Sequence, residues 1–179
     1  MSEEKRVIKL DQEKTATNVK ATYCLWFAYA PDDIAGPEGE TTNSTYKPLE
    51  IDLTNVAELT VTASPDDKWW HHPGNDSGAE GIADERNLEN EAYKSATYHS
   101  TNIAKLETRL NLLVGLLGDE NPPTVEREQI KIGLEKTITI DNANDTRLFL
   151  GFHDGRQWSN NGQDPAAGVS VTITVDKRR

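Results

Sequence analysis

The sequence has little cysteine and no long apolar run, and each scarcity excludes a class of protein. The single cysteine, Cys24, rules out an internal disulfide framework and a zinc site built from cysteines. No run approaches the ~18 apolar residues of a membrane-spanning helix. Residues 1–6 are polar with no apolar stretch behind them, so no secretory signal is expected. We therefore predict a protein that is cytoplasmic or released without a recognisable signal peptide, which leaves action outside the cell open.

Positive charge and catalytic signatures are also scarce. The chain has 19 Lys and Arg against 30 Asp and Glu, a formal net charge of −11. This balance disfavours a nucleic-acid backbone and favours cationic or neutral partners, although an acidic surface also simply keeps proteins soluble. There is no glycine-rich phosphate loop, no GxSxG elbow and no HExxH motif. We expect no nucleic-acid partner, no membrane insertion and no enzymatic activity.

What the 179 residues do contain is an alternation of apolar and polar side chains. Alternation with β-branched residues predicts strands that bury one face, and the clearest examples are 49–53, 56–63, 129–132, 137–140 and 169–175. The more continuously apolar segments 110–117 and 148–152 are predicted to be interior strands. Clusters of Pro, Gly, Asn and Asp separate these segments, so the pattern predicts an all-β, jelly-roll-like sandwich.

One segment departs from the strand pattern. Residues 83–105 are rich in helix formers and include a candidate helix cap at Asp84. Apolar side chains recur there at helical spacing at Leu88, Ala92 and Tyr93. We predict an insertion that carries a short helix, and a long polar loop is the alternative.

The densest polar group lies at residues 152–164, ahead of the final alternating segment. Calcium takes about six to eight oxygens from carboxylates, amides and main-chain carbonyls. Asp154, the adjacent amides Asn160 and Asn161, and the carbonyls of residues 155–159 form such a set. A calcium ion with an incomplete shell can take two more oxygens from a vicinal diol of a sugar. The alternative is a loop in which Asp and Asn side chains cap their own turns.

A second group places two tryptophans among polar residues at 68–76. A tryptophan face suits the apolar C–H face of a sugar, and His, Asn and Asp side chains suit its hydroxyls. The alternative is that one tryptophan closes the end of the core, and we expect at least one of Trp69 and Trp70 to lie there. A zinc site at His71 and His72 is disfavoured, because neighbours on a strand point to opposite faces.

The order of these motifs resembles the soluble bacterial galactose-binding lectins of the LecA type, a family of small calcium-dependent β-sandwiches. The likeness covers residues 49–175 and includes the strand at 57–63, the tryptophan- and glycine-containing loop at 69–81 and the strand at 112–118. Its most specific part is an apolar strand ending in Asp154, the pair Asn160–Asn161 and the valine-rich strand at 169–175.

The resemblance implies a calcium ion and a galactose-type glycan as ligands. It implies that Asp154, Asn160 and Asn161 give side-chain oxygens to Ca²⁺ and that Gln157 gives a main-chain carbonyl. Asp154 and Asn160 would also contact sugar hydroxyls.

Further sugar contacts in the family come from the loop after the tryptophan. The nearest candidates here are His72 and Asp76, with Trp70 as an apolar platform.

The chain also departs from the family pattern. His153 stands where the family usually has asparagine, and the spacing from Asp154 to Asn160 is one residue shorter. We treat 1–179 as a single LecA-like lectin domain, with 1–48 as an N-terminal extension and first strands and 84–110 as an insertion. An edge strand is expected at residues 5–10.

Three functions follow as hypotheses. The first is a non-catalytic calcium-dependent lectin, expected as a homo-oligomer because weak single sugar sites gain avidity when linked. The second is a non-catalytic structural or interaction module with a stabilising calcium ion or none. The third is a hydrolase that uses one of the four histidines, which are His71, His72, His99 and His153.

Overall fold

The computed structural model describes residues 7–25, 28–29, 47–72, 75–82, 86–87, 102–104, 106–153 and 168–179. These residues form thirteen β-strands and no α-helix, so nothing in the described part of the chain could cross a membrane as a helix. In chain order the strands are β1 (Val7–Lys9), β2 (Lys14–Lys20), β3 (Leu49–Asp52), β4 (Val56–Ala63), β5 (Trp69–His72), β6 (Asn75–Ser77), β7 (Arg86–Asn87), β8 (Thr108–Arg109), β9 (Leu112–Gly118), β10 (Gln129–Lys131), β11 (Glu135–Thr139), β12 (Arg147–His153) and β13 (Gly168–Arg178). The prediction of an all-β protein is confirmed.

Nine of these strands build two sheets. The five-stranded sheet has the order β1-β3-β12-β9-β10, and the four-stranded sheet has the order β11-β4-β13-β2. All of these pairings are antiparallel except the parallel pair of β1 and β3. The other four strands form two short ladders, β5–β6 and β7–β8. Apolar side chains from both sheets meet in one core, so the fold is a β-sandwich.

The alternating pattern decides which side chains enter the core. In β13, Val171 and Ile173 are buried against the other sheet, while Ser170 on the opposite face is exposed. In β12, Leu148 and Leu150 face the same core. The strands predicted from alternation are confirmed, with shifts of up to three residues at their ends.

The strands β9 and β12 are buried on both faces, which explains their nearly continuous apolar sequence. Their second face carries Val114, Leu116 and Phe149, which form a second apolar cluster with Cys24 and Leu25. Cys24 is therefore the buried small hydrophobe expected of such a residue.

The segment 23–25, which contains Cys24, crosses β12 at Gly151. A Cβ atom at this position would lie 3.0 Å from the carbonyl oxygen of Tyr23 and 3.1 Å from the nitrogen of Leu25. The neighbouring nitrogen of Phe152 donates a hydrogen bond of 2.7 Å to that same Tyr23 oxygen. Glycine is needed here because the backbone of residues 23–25 lies directly on the strand.

The helix predicted after Asp84 does not begin there. Arg86–Asn87 form β7 and pair with Thr108–Arg109, so cross-strand hydrogen bonds replace the first turn of a helix. The rest of the predicted helix, with Leu88, Ala92 and Tyr93, lies outside the described residues. The ladder joins the two ends of the segment that we assigned as an insertion.

Candidate functional site

The segment predicted to bind calcium connects the two layers of the sandwich. β12 ends at His153 in the five-stranded sheet, and β13 begins at Gly168 in the four-stranded sheet. Gly168 pairs with Lys20. The carbonyl of Lys20 accepts a hydrogen bond from the nitrogen of Tyr23, and the carbonyl of Tyr23 accepts one from the nitrogen of Phe152. Both flanks of the segment therefore lie at the same end of the sandwich.

The predicted ligands themselves, Asp154, Gln157, Asn160 and Asn161, lie outside the described residues. His153, the last described residue before them, is only 1% exposed. Its carbonyl accepts a 2.7 Å hydrogen bond from the nitrogen of Asn111, a buried residue with a left-handed backbone (φ 60°). The chain is thus firmly positioned up to the point where the oxygen-rich segment starts.

The second predicted group forms the hairpin β5–β6. Trp69 pairs with Ser77, Trp70 with Asp76, and His72 with Asn75, with an irregularity between Trp70 and His72. Trp70 and Asp76, two of the predicted sugar contacts, therefore stand directly opposite each other in the ladder. His72, the third, lies next to them on the same short hairpin.

A ring contact joins this hairpin to β12. Trp69 is 4% exposed, and its ring lies 4.8 Å from that of Phe152 in an edge-to-face arrangement. The prediction that at least one tryptophan closes the core is confirmed. Phe152 precedes Asp154 by two residues, so the contact brings together two groups that are about 80 residues apart in the sequence.

The segment that follows the hairpin is hydrogen-bonded to the start of β9. The nitrogen of Leu113 donates to the carbonyl of Ala79 at 2.9 Å, and the nitrogen of Ile82 donates to that of Leu110 at 2.9 Å. Because β9 is the neighbour of β12, the hairpin is attached to this end of the five-stranded sheet through both strands.

Two buried polar atoms lie at the base of the hairpin. Trp69 Nε1 and Ser77 Oγ have no hydrogen-bond partner among the described residues, and these two residues are opposite each other. The indole N–H can only donate, whereas the hydroxyl can donate and accept. No sequence signal distinguishes Ser77, because a lone serine in a strand is ordinary.

Replacing Ser77 by alanine is expected to leave the free energy of unfolding unchanged or to raise it by about 1 kcal/mol, because burying a hydroxyl without a partner is unfavourable. Urea unfolding of the variant and of Ser170→Ala, an exposed serine on β13, provides the comparison. The Ser170 variant should stay within ~0.5 kcal/mol of the parent protein. A loss above ~1 kcal/mol in Ser77→Ala would show that its hydroxyl is in fact satisfied.

A charged cluster at the other end of β12 was not predicted. The Arg147 guanidinium lies 3.1 Å from Glu50 Oε1 through Nε and 3.4 Å from Asp52 Oδ1 through Nη1, and its Nη2 contacts Glu120. Arg147 is 13% exposed and Glu50 is 4% exposed. One guanidinium thus forms ion pairs with three carboxylates, two of them on β3.

This environment changes the acidity of Asp52. Burial acts to raise the pKa of its carboxyl, but hydrogen bonds from Thr54 and the charges of Arg147 and Lys9 outweigh burial and hold the pKa below its ordinary value of 3.8. The ionised carboxylate therefore stabilises the fold at pH values above 3.8, and this contribution is lost as the pH falls through the lowered pKa.

A second polar group surrounds Tyr29, which packs against the second apolar cluster. Burial, aided by the charge of Asp119, raises the pKa of Tyr29 to about 12. The Tyr29 hydroxyl donates to the Asp119 carbonyl at 3.3 Å. Close by, Arg127 Nη1 lies 2.9 Å from Asp145 Oδ1. Within the described ranges, no three His, Cys, Asp or Glu side chains are grouped to hold a metal ion.

Comparisons of the chain with protein-family models, with curated proteins and with solved structures found no match. The resemblance to LecA-type lectins therefore depends on the sequence motifs alone.

Proposed function

We propose that this protein is a non-catalytic, calcium-dependent carbohydrate-binding protein whose ligand is a galactose-type glycan, built on a jelly-roll-like sandwich. The supporting observation is the contact between Trp69 and Phe152. Through this contact, the hairpin chosen for its aromatic and polar residues lies at the same end of the sandwich as the start of the oxygen-rich segment. The hairpin and the flank of the oxygen-rich segment thus lie next to each other, which supports a shared sugar site.

In this proposal, Asp154, Asn160 and Asn161 hold the ion through side-chain oxygens, and Gln157 holds it through its carbonyl. The donor set is one carboxylate plus neutral oxygens, which is chemistry suited to Ca²⁺. When bound, the ion supplies open positions for two neighbouring sugar hydroxyls.

The protein's own side chains set the orientation of the sugar. Asp154 and Asn160 accept or donate hydrogen bonds at hydroxyls, and the charge of Asp154 strengthens those bonds. His72 and Asp76 extend the polar contacts from the hairpin, and Trp70 offers an apolar surface to the sugar C–H groups. Each such site binds weakly, so we propose a homo-oligomer that gains affinity by multivalency.

The test is thermal unfolding with calcium and galactose. Calcium should raise the melting temperature, and galactose should raise it further only when calcium is present, because a ligand at a hundred times its Kd adds about 2.7 kcal/mol to the stability of the folded state. Asp154→Ala should abolish both shifts and retain the circular dichroism of a β protein.

A matched control is Asp141→Ala, which removes an exposed carboxylate in a turn between β11 and β12 and should leave both shifts intact. Unchanged shifts in Asp154→Ala would overturn the site assignment. A calcium shift without binding to any sugar on a glycan array would instead favour a structural module. Turnover of a glycoside or ester that disappears in His71→Ala would favour a hydrolase.

A further inference from the structure

Among the described residues, the four-stranded sheet has two long edge strands that pair on one side only. Its edge strands β2 and β11 have seven and five residues, whereas the edge strands β1 and β10 of the other sheet have three each. Open edges present N–H and C=O groups that can pair with another chain. On β11, the side chains of Glu135, Lys136, Thr137 and Thr139 are all exposed.

The hydrogen bonds of β11 show which of its residues face the open side. Ala63 N donates to Leu134 O at 2.7 Å, and Ile140 N donates to Ala57 O at 2.9 Å. Hydrogen-bonded pairs alternate along an antiparallel ladder, and the register here is regular. The even-numbered residues therefore bond to β4, and the N–H and C=O groups of Glu135, Thr137 and Thr139 point outwards.

The same reasoning shows that β2 is protected against pairing with itself in the register that would use all seven of its residues. Val175 N donates to Glu13 O at 2.8 Å, so the even-numbered residues of β2 point outwards. Antiparallel self-pairing around Thr17 would place Lys14 of each copy opposite Lys20 of the other, so two lysine pairs would face each other. Directly opposed like charges destabilise a ladder, and edge lysines are a common protection.

The strand β11 has no such protection. Antiparallel self-pairing around Thr137 places Glu135 opposite Thr139 and Thr137 opposite itself, and every outward N–H and C=O group finds a partner. A register centred one residue earlier would set Lys136 against Lys136 and leave Thr139 unpaired. A register centred one residue later would leave Glu135 unpaired.

We propose that a second copy of this chain binds at β11, with the two strands antiparallel around Thr137, so that two four-stranded sheets join into one. This dimer would provide the multivalency that the proposed function needs, but the inference rests only on residues of β4 and β11. Because the two-fold axis reverses the strands, the ends that carry Trp69 point in opposite directions. Such a dimer would link two glycan-bearing surfaces rather than bind one surface twice.

Proline at position 137 tests the dimer without removing a main-chain hydrogen bond from the fold; it removes only the exposed 2.8 Å side-chain hydrogen bond between Thr137 and Thr60. The Thr137 N–H points outwards, and proline is tolerated at such positions of edge strands. Sedimentation at about 0.15 M salt, which screens the net charge of each chain, should give the parent protein a mass that rises with concentration from 19.9 kDa towards twice that value. Thr137→Pro should stay at 19.9 kDa at all concentrations.

A second variant and a matched control complete the test. Thr137→Lys keeps the N–H but places two ammonium groups opposite each other in the dimer, so it should also stay monomeric. Ala16→Pro makes the equivalent change on β2 and should dimerise like the parent protein. A parent protein that is monomeric at every concentration, or a dimeric Thr137→Lys variant, would overturn the proposal. Neither measurement involves sugar, so the lectin proposal and the dimer proposal can fail separately.

Discussion

Replacing Arg147 by methionine is expected to lower the free energy of unfolding by about 3–5 kcal/mol, because removing one partner of a buried ion pair leaves the other charge poorly compensated. The Glu50 carboxylate is 4% exposed and lies 3.1 Å from Arg147 Nε, so it would lose this ion pair. The charge of Arg147 would then no longer offset the repulsion between Glu50, Asp52 and Glu120. Methionine keeps much of the apolar stem of arginine, so the loss reports mainly the charge.

The measurement is urea unfolding of Arg147→Met, of Glu50→Gln and of the double variant. If the two groups act as a pair, the double variant should lose clearly less stability than the sum of the single variants. Lys131→Met, which removes an exposed cation from the edge strand β10, should change stability by less than ~0.5 kcal/mol. Additive losses, or a cost below ~1 kcal/mol for Arg147→Met, would contradict the role assigned to the cluster.

Replacing Phe152 by alanine is expected to cost about 3–5 kcal/mol as well, through lost burial and the cavity that remains. Phe152 is fully buried, and its ring packs against the ring of Trp69. The variant should therefore also loosen the hairpin β5–β6, which the charge variants should leave in place.

Phe149→Ala is the matched control for this second effect. Phe149 is an equally buried phenylalanine on the same strand, but it faces the other apolar cluster and packs against Tyr29 at 5.2 Å. Both variants should lose stability, whereas the near-ultraviolet circular dichroism of the tryptophans should change mainly in Phe152→Ala. In calcium, the response to galactose should weaken in Phe152→Ala and persist in Phe149→Ala. Equal spectra and equal sugar responses would show that Trp69 does not depend on Phe152.

The strands that could be predicted from the sequence are those whose own residues alternate between apolar and polar side chains. The alternation is strict in 169–175 and has one slip in 56–63, which is regular enough to predict both strands and their buried faces. β1 falls inside the edge strand expected at residues 5–10. β2 was missed because Val19 is its only fully buried side chain. Seven pairs with β13 hold β2 in place, and a partner so distant in sequence leaves no local pattern.

The two ends of β12 differ in how much the sequence could predict. At the Phe152 end, unusual residue types stand close together in the chain, so the tryptophan pair and the oxygen-rich segment could be noticed. At the Arg147 end, Glu50 is 97 residues away from its partner, and its alternation with apolar neighbours suggested a solvent-exposed face. Only the register between β3 and β12 reveals that this carboxylate is buried beside an arginine. The strand at Arg86–Asn87, where the start of a helix was expected, was missed for the same reason, because its partner strand β8 lies outside the local window.

The position of β13 has a consequence for synthesis on the ribosome. β13 lies between β4 and β2, so β2 has no neighbour in its sheet until Gly168–Arg178 has been made. Those residues follow Lys20 by about 150 positions, which at ~5–20 residues per second amounts to roughly 8–30 s. A strand that stays unpaired for that long must not attract other nascent chains. The polar, lysine-ended sequence of β2, which concealed the strand from prediction, suits it to that delay.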